Sequence, residues 1–175
     1  NPAVAGTSTY DDAYVYNGSP ERFNWTLVGK KEMILPASNY DMIFQDNVED
    51  LLGEKFLNPE KIRWEKHRVW VVDSNLKEGS RHIYSRRTFY IDEDSWTALS
   101  GEMYDGRGQM WRVQYSYLAN LYDRKMDFSL AYGSYDLAQD IYNLSGKPIP
   151  GTYRNNVELP DNYFTSEGMA RGGVR

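Results

Sequence analysis

Apolar and polar residues alternate along four long segments in the middle of the chain, between residues 62 and 119. An alternation with a period of two places successive side chains on opposite faces of a strand. The turn-like pieces between the segments are so short that we expect antiparallel hairpins to join them. The pattern therefore predicts a β-meander. Its strands are IRWEKHRVWVVDSNL (62–76), SRHIYSRRTFYI (80–91), SWTALSGEMYD (95–105) and QMWRVQYSYLA (109–119).

Three shorter patterns precede the meander. WTLVGKKEMIL (25–35) predicts a strand that Pro36 ends, and NYDMIF (39–44) predicts the next strand across a short link. Apolar residues then recur at helical spacing, which predicts a short helix near 46–53.

The pattern weakens after the meander. MDFSLAYGSYD (126–136) predicts one more strand, whereas DLAQDIYNLSG (136–146) fits a helix or a strand equally. The ends, 1–22 and 147–175, are turn-rich or proline-rich, and we expect them to be extended arms. The whole chain, 1–175, is thus predicted to be a single mainly β domain of the α+β class. Its strongly bent antiparallel sheet and one or two short helices are expected to occupy 23–146.

Pairing the four segments across two-residue turns predicts which side chains share a face. Bulky rings fall together on one face, and we expect this face to be sheltered from water and to line a groove for a hydrophobic ligand. Arg87 and Glu102 fall on the same face, with Arg87 opposite Trp70, where a guanidinium can stack on the indole. The predicted apolar lining is Trp70, Val72, Phe89, Ile91, Trp96, Tyr104, Trp111, Val113 and Tyr115.

Composition narrows the class of protein. Aromatic residues make up 15% of the 175 residues, which favours sheets and binding surfaces. The absence of cysteine excludes disulfides and thiolate chemistry, and a net charge of -5 argues against a nucleic-acid partner. No apolar run reaches the roughly 18 residues of a membrane span. The chain starts at Asn1 without a signal-like stretch, as expected of a cleaved mature protein or a fragment of a longer one.

Polar motifs with catalytic or metal-binding spacing are scarce. Asp92, Glu93 and Asp94 lie between two apolar runs at hairpin spacing and lack the pattern of a calcium loop, so we interpret them as a turn. His67 and His82 are expected about seven residues apart along adjacent strands, more than ~20 Å, too far to share a metal. We therefore predict neither a metal site nor a cofactor.

Glu102 is the carboxylate with the most interesting predicted position, because it points into the aromatic face. One hypothesis makes it half of a carboxylate pair in a hydrolase. The simpler interpretation pairs it with Arg87 at the edge of the aromatic face, and this interpretation is the one we favour. The chain is accordingly predicted not to be an enzyme.

Five stretches together resemble the domain-of-unknown-function 1329 family of Gram-negative envelope proteins. They are NWTLVGKKEM, WEKHRVWVV, GSRHIYSRRTFYIDEDSW, YDGRGQMWRV and NYFTSEGMARGGVR. The resemblance covers nearly the whole chain and matches the C-terminal half of the family's full length. One departure is Leu35-Pro36-Ala37-Ser38, where the family has a Pro-Tyr-Asn type of sequence, so no role is assigned to the 35–38 loop.

The resemblance implies a fold similar to LolA, LolB and RseB, a half-barrel whose concave side holds acyl chains. It also implies a periplasmic protein that binds or carries a lipid or another hydrophobic molecule. An outer-membrane sorting system, an outer-membrane protein or a transporter of the RND type would then be the partner. The family offers no catalytic residues to carry over. The alternative is a structural or interaction protein whose aromatic face packs on a partner or on the missing N-terminal half.

Overall fold

The computed structural model describes residues 2–3, 6–44, 47–122, 125–147 and 158–172. Two short strands, β1 (Pro2–Ala3) and β2 (Ser8–Thr9), pair near the start. The main element is a seven-stranded sheet in which every strand pairs antiparallel with the next one in sequence. Its strands are β3 (Phe23–Pro36), β4 (Trp64–Leu76), β5 (Arg86–Asp92), β6 (Ala98–Tyr104), β7 (Met110–Leu121), β8 (Met126–Asp136) and β9 (Ile141–Ser145).

Helices are few and short in the described part of the chain. The α-helices are α1 (Tyr40–Phe44) and α2 (Ser166–Gly172), and 3-10 turns occupy Tyr10–Val15, Pro20–Arg22, Glu49–Leu51 and Pro59–Lys61. The prediction of a mainly β fold, a curved antiparallel meander with short helices, is confirmed.

Two predicted elements need correction, and one that the sequence left open is decided. Residues 39–44, predicted as a strand, form α1, and the helix predicted near 46–53 is reduced to the 3-10 turn Glu49–Leu51. Residues 45 and 46 lie outside the described residues. The ambiguous stretch 136–146 is a turn followed by the edge strand β9. An apolar run of this length does not distinguish a strand from a helix, and tertiary packing decided each case.

The sheet curls so that strands far apart in its order come into contact. Leu35 at the end of β3 packs in one cluster with Leu118 of β7, although three strands separate them. The rings of Trp64 on β4 and Tyr115 on β7 lie 5.9 Å apart, edge to face. The backbone N–H of Asn39 donates to the carbonyl of Leu118 (2.8 Å). The face that these contacts enclose is called the inner face.

Apolar side chains cover the inner face. Met42 and Ile43 of α1 pack with Leu51, Leu57 and Ile62 onto β7 and β8. A second apolar cluster joins the end of β3 to β4, β5 and β7. The described parts of the connection from β3 to β4, residues 37–44 and 47–63, thus form a lid of mostly apolar contacts. The buried sheet residues that pack with it are Tyr117, Ala119, Leu130 and Ala131.

The N-terminal segment, residues 6–16, covers the opposite, outer face. Val15 is buried in a cluster with Tyr84, Phe89 and Met103, so this part of the predicted extended arm is packed rather than extended. Gly101 leaves the space that Val15 fills, because a Cβ there would lie 3.0 Å from Val15 Cγ1. At the other end of the chain, α2 lies within the predicted C-terminal arm.

The predicted strand pairing across the 92–94 tip is wrong, and the error reverses one half of the sheet relative to the other. The loop has four residues instead of two, which alone would keep the faces aligned. A β-bulge then adds Leu99, so that Ile91 pairs with Ala98 but Tyr90 pairs with Ser100. Because side chains alternate with a period of two, this one extra residue moves the side chains of 100–104 and of their β7 partners 112–115 to the other face.

Candidate functional site

The structure does not place the predicted groove residues on one face. Trp70, Val72, Phe89 and Ile91 lie on the outer face, where Ala98 joins them. Tyr104, Val113 and Tyr115 lie on the inner face. Trp96 stands in the hairpin loop and is 72% exposed. Trp111 lies at a β6–β7 irregularity and packs beside Tyr84.

The predicted contact between Arg87 and Trp70 is also wrong. Arg87 pairs with Ser74, is fully buried, and lies over the rings of Tyr16 and Tyr84. Trp70 receives Lys30 Nζ over its ring instead.

Glu102 lies on the inner face, so the predicted pairing with Arg87 does not form. The hydroxyl of Tyr90 donates to Glu102 Oε1 (2.7 Å), and that of Tyr104 donates to Oε2 (2.6 Å). Burial raises the pKa of Tyr90, and the hydrogen bond to Glu102 raises it further. Two neutral phenols therefore hold this carboxylate as an acceptor.

A cleft of about 740 Å³ opens where the lid meets the rim of the sheet. Ligand pockets for small molecules fall in the range of roughly 300–1,000 Å³. Buried Met42 and Ile62 form its apolar floor, continuous with the inner-face core. The full lining is Ser38, Asn39, Tyr40, Asp41, Met42, Phe44, Glu60, Lys61, Ile62, Arg63 and Tyr122.

Aromatic rings stand at the mouth of this cleft. Tyr40 and Phe44 lie on one side of α1, four residues apart, and their ring centroids are 4.6 Å apart. Tyr40 is 47% exposed and Tyr122 is 77% exposed. Rings that remain in water beside an apolar floor offer contact area to a ligand at low cost in side-chain entropy.

Asn39 holds the wall of the cleft in place. It is buried, and its side-chain Nδ2 donates to the carbonyls of Ala37 (3.1 Å) and Arg63 (3.2 Å). Its Oδ1 accepts from the N–H of Arg63 (2.8 Å), and its carbonyl accepts the first bond of α1 from Ile43. A single asparagine, through its side-chain amide and its backbone carbonyl, thus joins the 37–39 loop, α1 and the residues that lead into β4.

The 37–39 loop contains a strained backbone position. Ser38 has φ 52, a left-handed conformation that side chains other than glycine rarely adopt. Its hydroxyl donates to Glu65 Oε2 (3.1 Å), and Arg63 Nε lies 2.6 Å from Glu65 Oε1. Glu65 therefore holds two residues of the cleft wall.

His67 connects this carboxylate to the acidic tip. Its Nε2 lies 3.3 Å from Glu65 Oε2, and its Nδ1 lies 2.7 Å from Asp92 Oδ1. Burial alone would lower the pKa of His67, but the hydrogen bonds to the two carboxylates outweigh it and raise the pKa above the ordinary 6.5.

The acidic tip is a turn, as predicted. Asp92 Oδ2 accepts from the backbone N–H and the hydroxyl of Ser95, which closes the turn locally. The hydroxyl of Ser95 is directed at Asp92 and not at His67, so these residues do not form the serine–histidine arrangement of a nucleophilic enzyme.

The described residues contain no group of three or more His, Asp or Glu side chains placed to hold a metal ion. Within the same ranges, no helix has the length and apolar character needed to cross a bilayer.

Sequence reasoning missed the cleft because it interpreted 39–44 as a strand. One signal was present: Ser38 and Asn39 are residue types that favour a helix N-terminus, and they precede the apolar run directly. The packing of this helix with Ile62 and with the sheet depends on the curvature of the sheet and has no local signal.

The molecule is a mainly β protein with one large antiparallel sheet and a cleft beside the inner face of that sheet. The model of the family described as "Protein of unknown function (DUF1329)" matches residues 1–170. The chain belongs to this family.

One curated relative is the uncharacterized protein PA3922 of Pseudomonas aeruginosa, which is 35% identical over 176 residues. The match covers 99% of this chain but 39% of the relative, so the chain spans about two fifths of that protein's length.

Two solved structures are similar. A DUF1329 family protein from Desulfovibrio piger has a TM-score of 0.45 at 12% identity, covering 84% of this chain and 47% of that one. A domain assigned to outer membrane lipoprotein-sorting proteins, from Vibrio parahaemolyticus, has a TM-score of 0.49 at 12% identity. The match covers 94% of this chain and 55% of that one.

Proposed function

We propose that this chain is a non-enzymatic binding or carrier module for a lipid or another hydrophobic ligand, and that the ligand binds in the cleft beside α1. The single observation that carries the proposal is the cleft itself, with buried Met42 and Ile62 as its floor and exposed aromatic rings at its mouth. Burial of acyl carbons on such a floor contributes about 0.8 kcal/mol per methylene.

The proposed location is the periplasm of the Gram-negative envelope, and the resemblance to a family of Gram-negative envelope proteins supports it. The proposed partners are an outer-membrane sorting system or a transporter of the RND type. Because the chain spans 39% of its curated relative, these roles belong to the whole protein of which this chain would be the binding part.

A matched pair of substitutions tests the cleft. The probe is 1-N-phenylnaphthylamine, an uncharged dye whose fluorescence rises in apolar sites. Phe44→Ala removes a ring from the cleft lining and is expected to weaken probe binding about tenfold. Phe56→Ala removes an exposed ring of the lid that does not line the cleft, and it should leave binding within about twofold.

Native mass spectrometry of the purified protein, with lipid extraction, provides a second measurement. A bound lipid that is retained by the unaltered protein and lost in Phe44→Ala supports the proposal. Absence of both probe binding and copurified lipid would refute it.

A second function, that of an interaction protein, is favoured by the exposed apolar side chains of β3. Leu27, Val28 and Ile34 are each about 60% exposed, and β3 is an edge of the described sheet. Exposed edges of this kind pair with other chains. Leu27→Lys should leave probe binding unchanged if the cleft is the site, and a loss of binding would move the site to this edge.

A further inference from the structure

The histidine beside the cleft is held in an arrangement that only its charged form satisfies. Both ring nitrogens of His67 face carboxylate oxygens, Nδ1 at 2.7 Å and Nε2 at 3.3 Å. A neutral imidazole donates from one nitrogen and presents a lone pair at the other. In the neutral form one of the two carboxylates would therefore face a lone pair and be repelled.

The charged groups around His67 come from several parts of the inner face. Glu65 belongs to the same strand, and Asp92 ends β5. On the neighbouring strand β3, Met33 lies opposite His67. Lys31, which is nearer the acidic tip, places its Nζ over the ring of Tyr90. The charged groups nearest His67 are thus two carboxylates, one at each ring nitrogen, with Arg63 on the far side of Glu65.

This bridge ends at strained backbone positions on both sides. Toward the cleft, Glu65 accepts from the hydroxyl of Ser38, whose φ is 52. Toward the hairpin, Asp92 holds Ser95, and the next residue, Trp96, has φ 57. Non-glycine residues stay in the left-handed region when surrounding contacts hold them there. Glu65 is such a contact for Ser38, a residue of the cleft wall.

We propose that His67 is a pH-sensitive element that regulates ligand retention: its protonated form holds Glu65 against Ser38 and Arg63, and its deprotonation loosens this wall of the cleft. The inference rests on the proposed function, because it assigns regulation to the same cleft. The bridge is present in acid, and retention falls as the pH rises above the range in which the imidazole stays charged. The raised pKa of His67 agrees in direction with this order of events.

The test measures probe binding and histidine protonation separately on the same protein. Binding of 1-N-phenylnaphthylamine, which carries no charge in this range, is expected to weaken about threefold or more between about pH 6 and about pH 9. In His67→Gln the affinity should lose this dependence on pH. His82→Gln is the matched control, because His82 bonds Asp11 under the N-terminal segment and does not line the cleft, and it should keep the dependence.

Glu65→Gln is the second variant, for the case that His67→Gln does not fold. It keeps an acceptor for Ser38 but removes the negative charge that attracts the imidazolium, so the pH dependence should shrink.

NMR titration separates the two proposals. The imidazole signals of His67 and the amide signals of Ser38 and Arg63 are expected to shift with one common midpoint. If His67 titrates while the signals of Ser38 and Arg63 do not follow, the regulatory inference is overturned and ligand binding stands. If the three signals shift together but the probe binds at no pH, the proposed function fails and the coupling stands.

Discussion

The two faces of the sheet are covered by different kinds of contact. On the inner face, α1 and the rest of the lid pack through apolar side chains. On the outer face, the N-terminal segment is held by buried polar groups, with Asp12 beside Tyr84 and both Arg87 and Arg112 almost fully buried. The cover of the inner face is thus apolar, whereas the outer cover combines the apolar cluster around Val15 with buried charged groups and is called the ionic cover.

The ionic cover leaves little freedom of position. The hydroxyl of Tyr84 donates to Asp12 Oδ2 (2.9 Å) and accepts from Arg112 Nη1 (3.0 Å), and Arg112 Nε donates to Asp136 Oδ2 (2.9 Å). Such bonds weaken steeply with distance and angle, whereas apolar contacts tolerate adjustment. The candidate cleft lies beside the apolar cover.

The largest effect is expected from breaking the ionic cover. Asp136→Ala leaves Arg112 buried without its carboxylate and also removes the acceptor of Trp111 Nε1 (3.0 Å). Loss of one partner of a buried ion pair typically costs about 3–5 kcal/mol. Urea denaturation should show a loss of this size. A loss below about 1 kcal/mol would mean that the pair is hydrated and the two covers do not differ.

Shortening a buried side chain of the apolar cover should lower the free energy of unfolding somewhat less. Ile43 is fully buried in α1, and Ile43→Ala is expected to destabilise by about 2–4 kcal/mol through the cavity that it leaves. Ile34→Ala, at a 59% exposed position of β3, is the matched control and should stay within about 0.5 kcal/mol. Equal losses in the two variants would show that the lid is not packed on the sheet.

Removal of one hydroxyl refines the comparison. Tyr84→Phe keeps the buried ring but removes the bonds to Asp12 and Arg112, for an expected loss of about 1–2 kcal/mol. Hydrogen exchange should then accelerate in residues 6–16 and not in α1. Faster exchange of α1 would indicate that the two covers unfold together.

The smallest expected effect is on the pH dependence of stability, to which two histidines contribute with opposite signs. The pKa of His67, on the inner face, is raised, so its contribution to stability is complete below the ordinary value of 6.5 and is lost as the pH rises through the raised pKa. The pKa of His82, under the N-terminal segment, is lowered by burial and by Arg87. Its neutral form is stabilising above about 6.5, and this contribution is lost as the pH falls below that value toward the lowered pKa.

Unfolding free energies measured across this range test the opposite signs. His67→Gln should remove stability mainly in acid, and His82→Gln should relieve a loss of stability in acid. The same sign in both variants would contradict the assignment of the two environments.

The meander could be predicted because its information is local. Alternating side chains and short turn-like pieces indicate antiparallel hairpins without knowledge of the rest of the chain, and Asp92 closes its turn through Ser95, three residues away. The faces could not be predicted in the same way. A bulge at Leu99 reverses the side chains of the rest of β6 and of its β7 partners 112–115, and nothing in the alternation of 95–105 marks it.

The candidate site was even harder to predict from the sequence. Asn39 and Arg63 meet through hydrogen bonds between residues 24 apart in sequence, and Ser38 reaches Glu65 across 27. The buried arginines show the same limit. Arg87 alternates in sequence like its strand neighbours, yet its surroundings come from Tyr16 and Phe23, far away in the chain.

By itself the sequence determined the strands of the meander, their order and their antiparallel connection, since these depend on side-chain periodicity and turn chemistry over a few residues. The tertiary structure decided which face each ring occupies, where α1 forms and where the cleft opens. The reason is physical: one bulge changes the face of a strand at little local cost in free energy, and the curl of the sheet brings the lid onto strands that no local pattern relates to it.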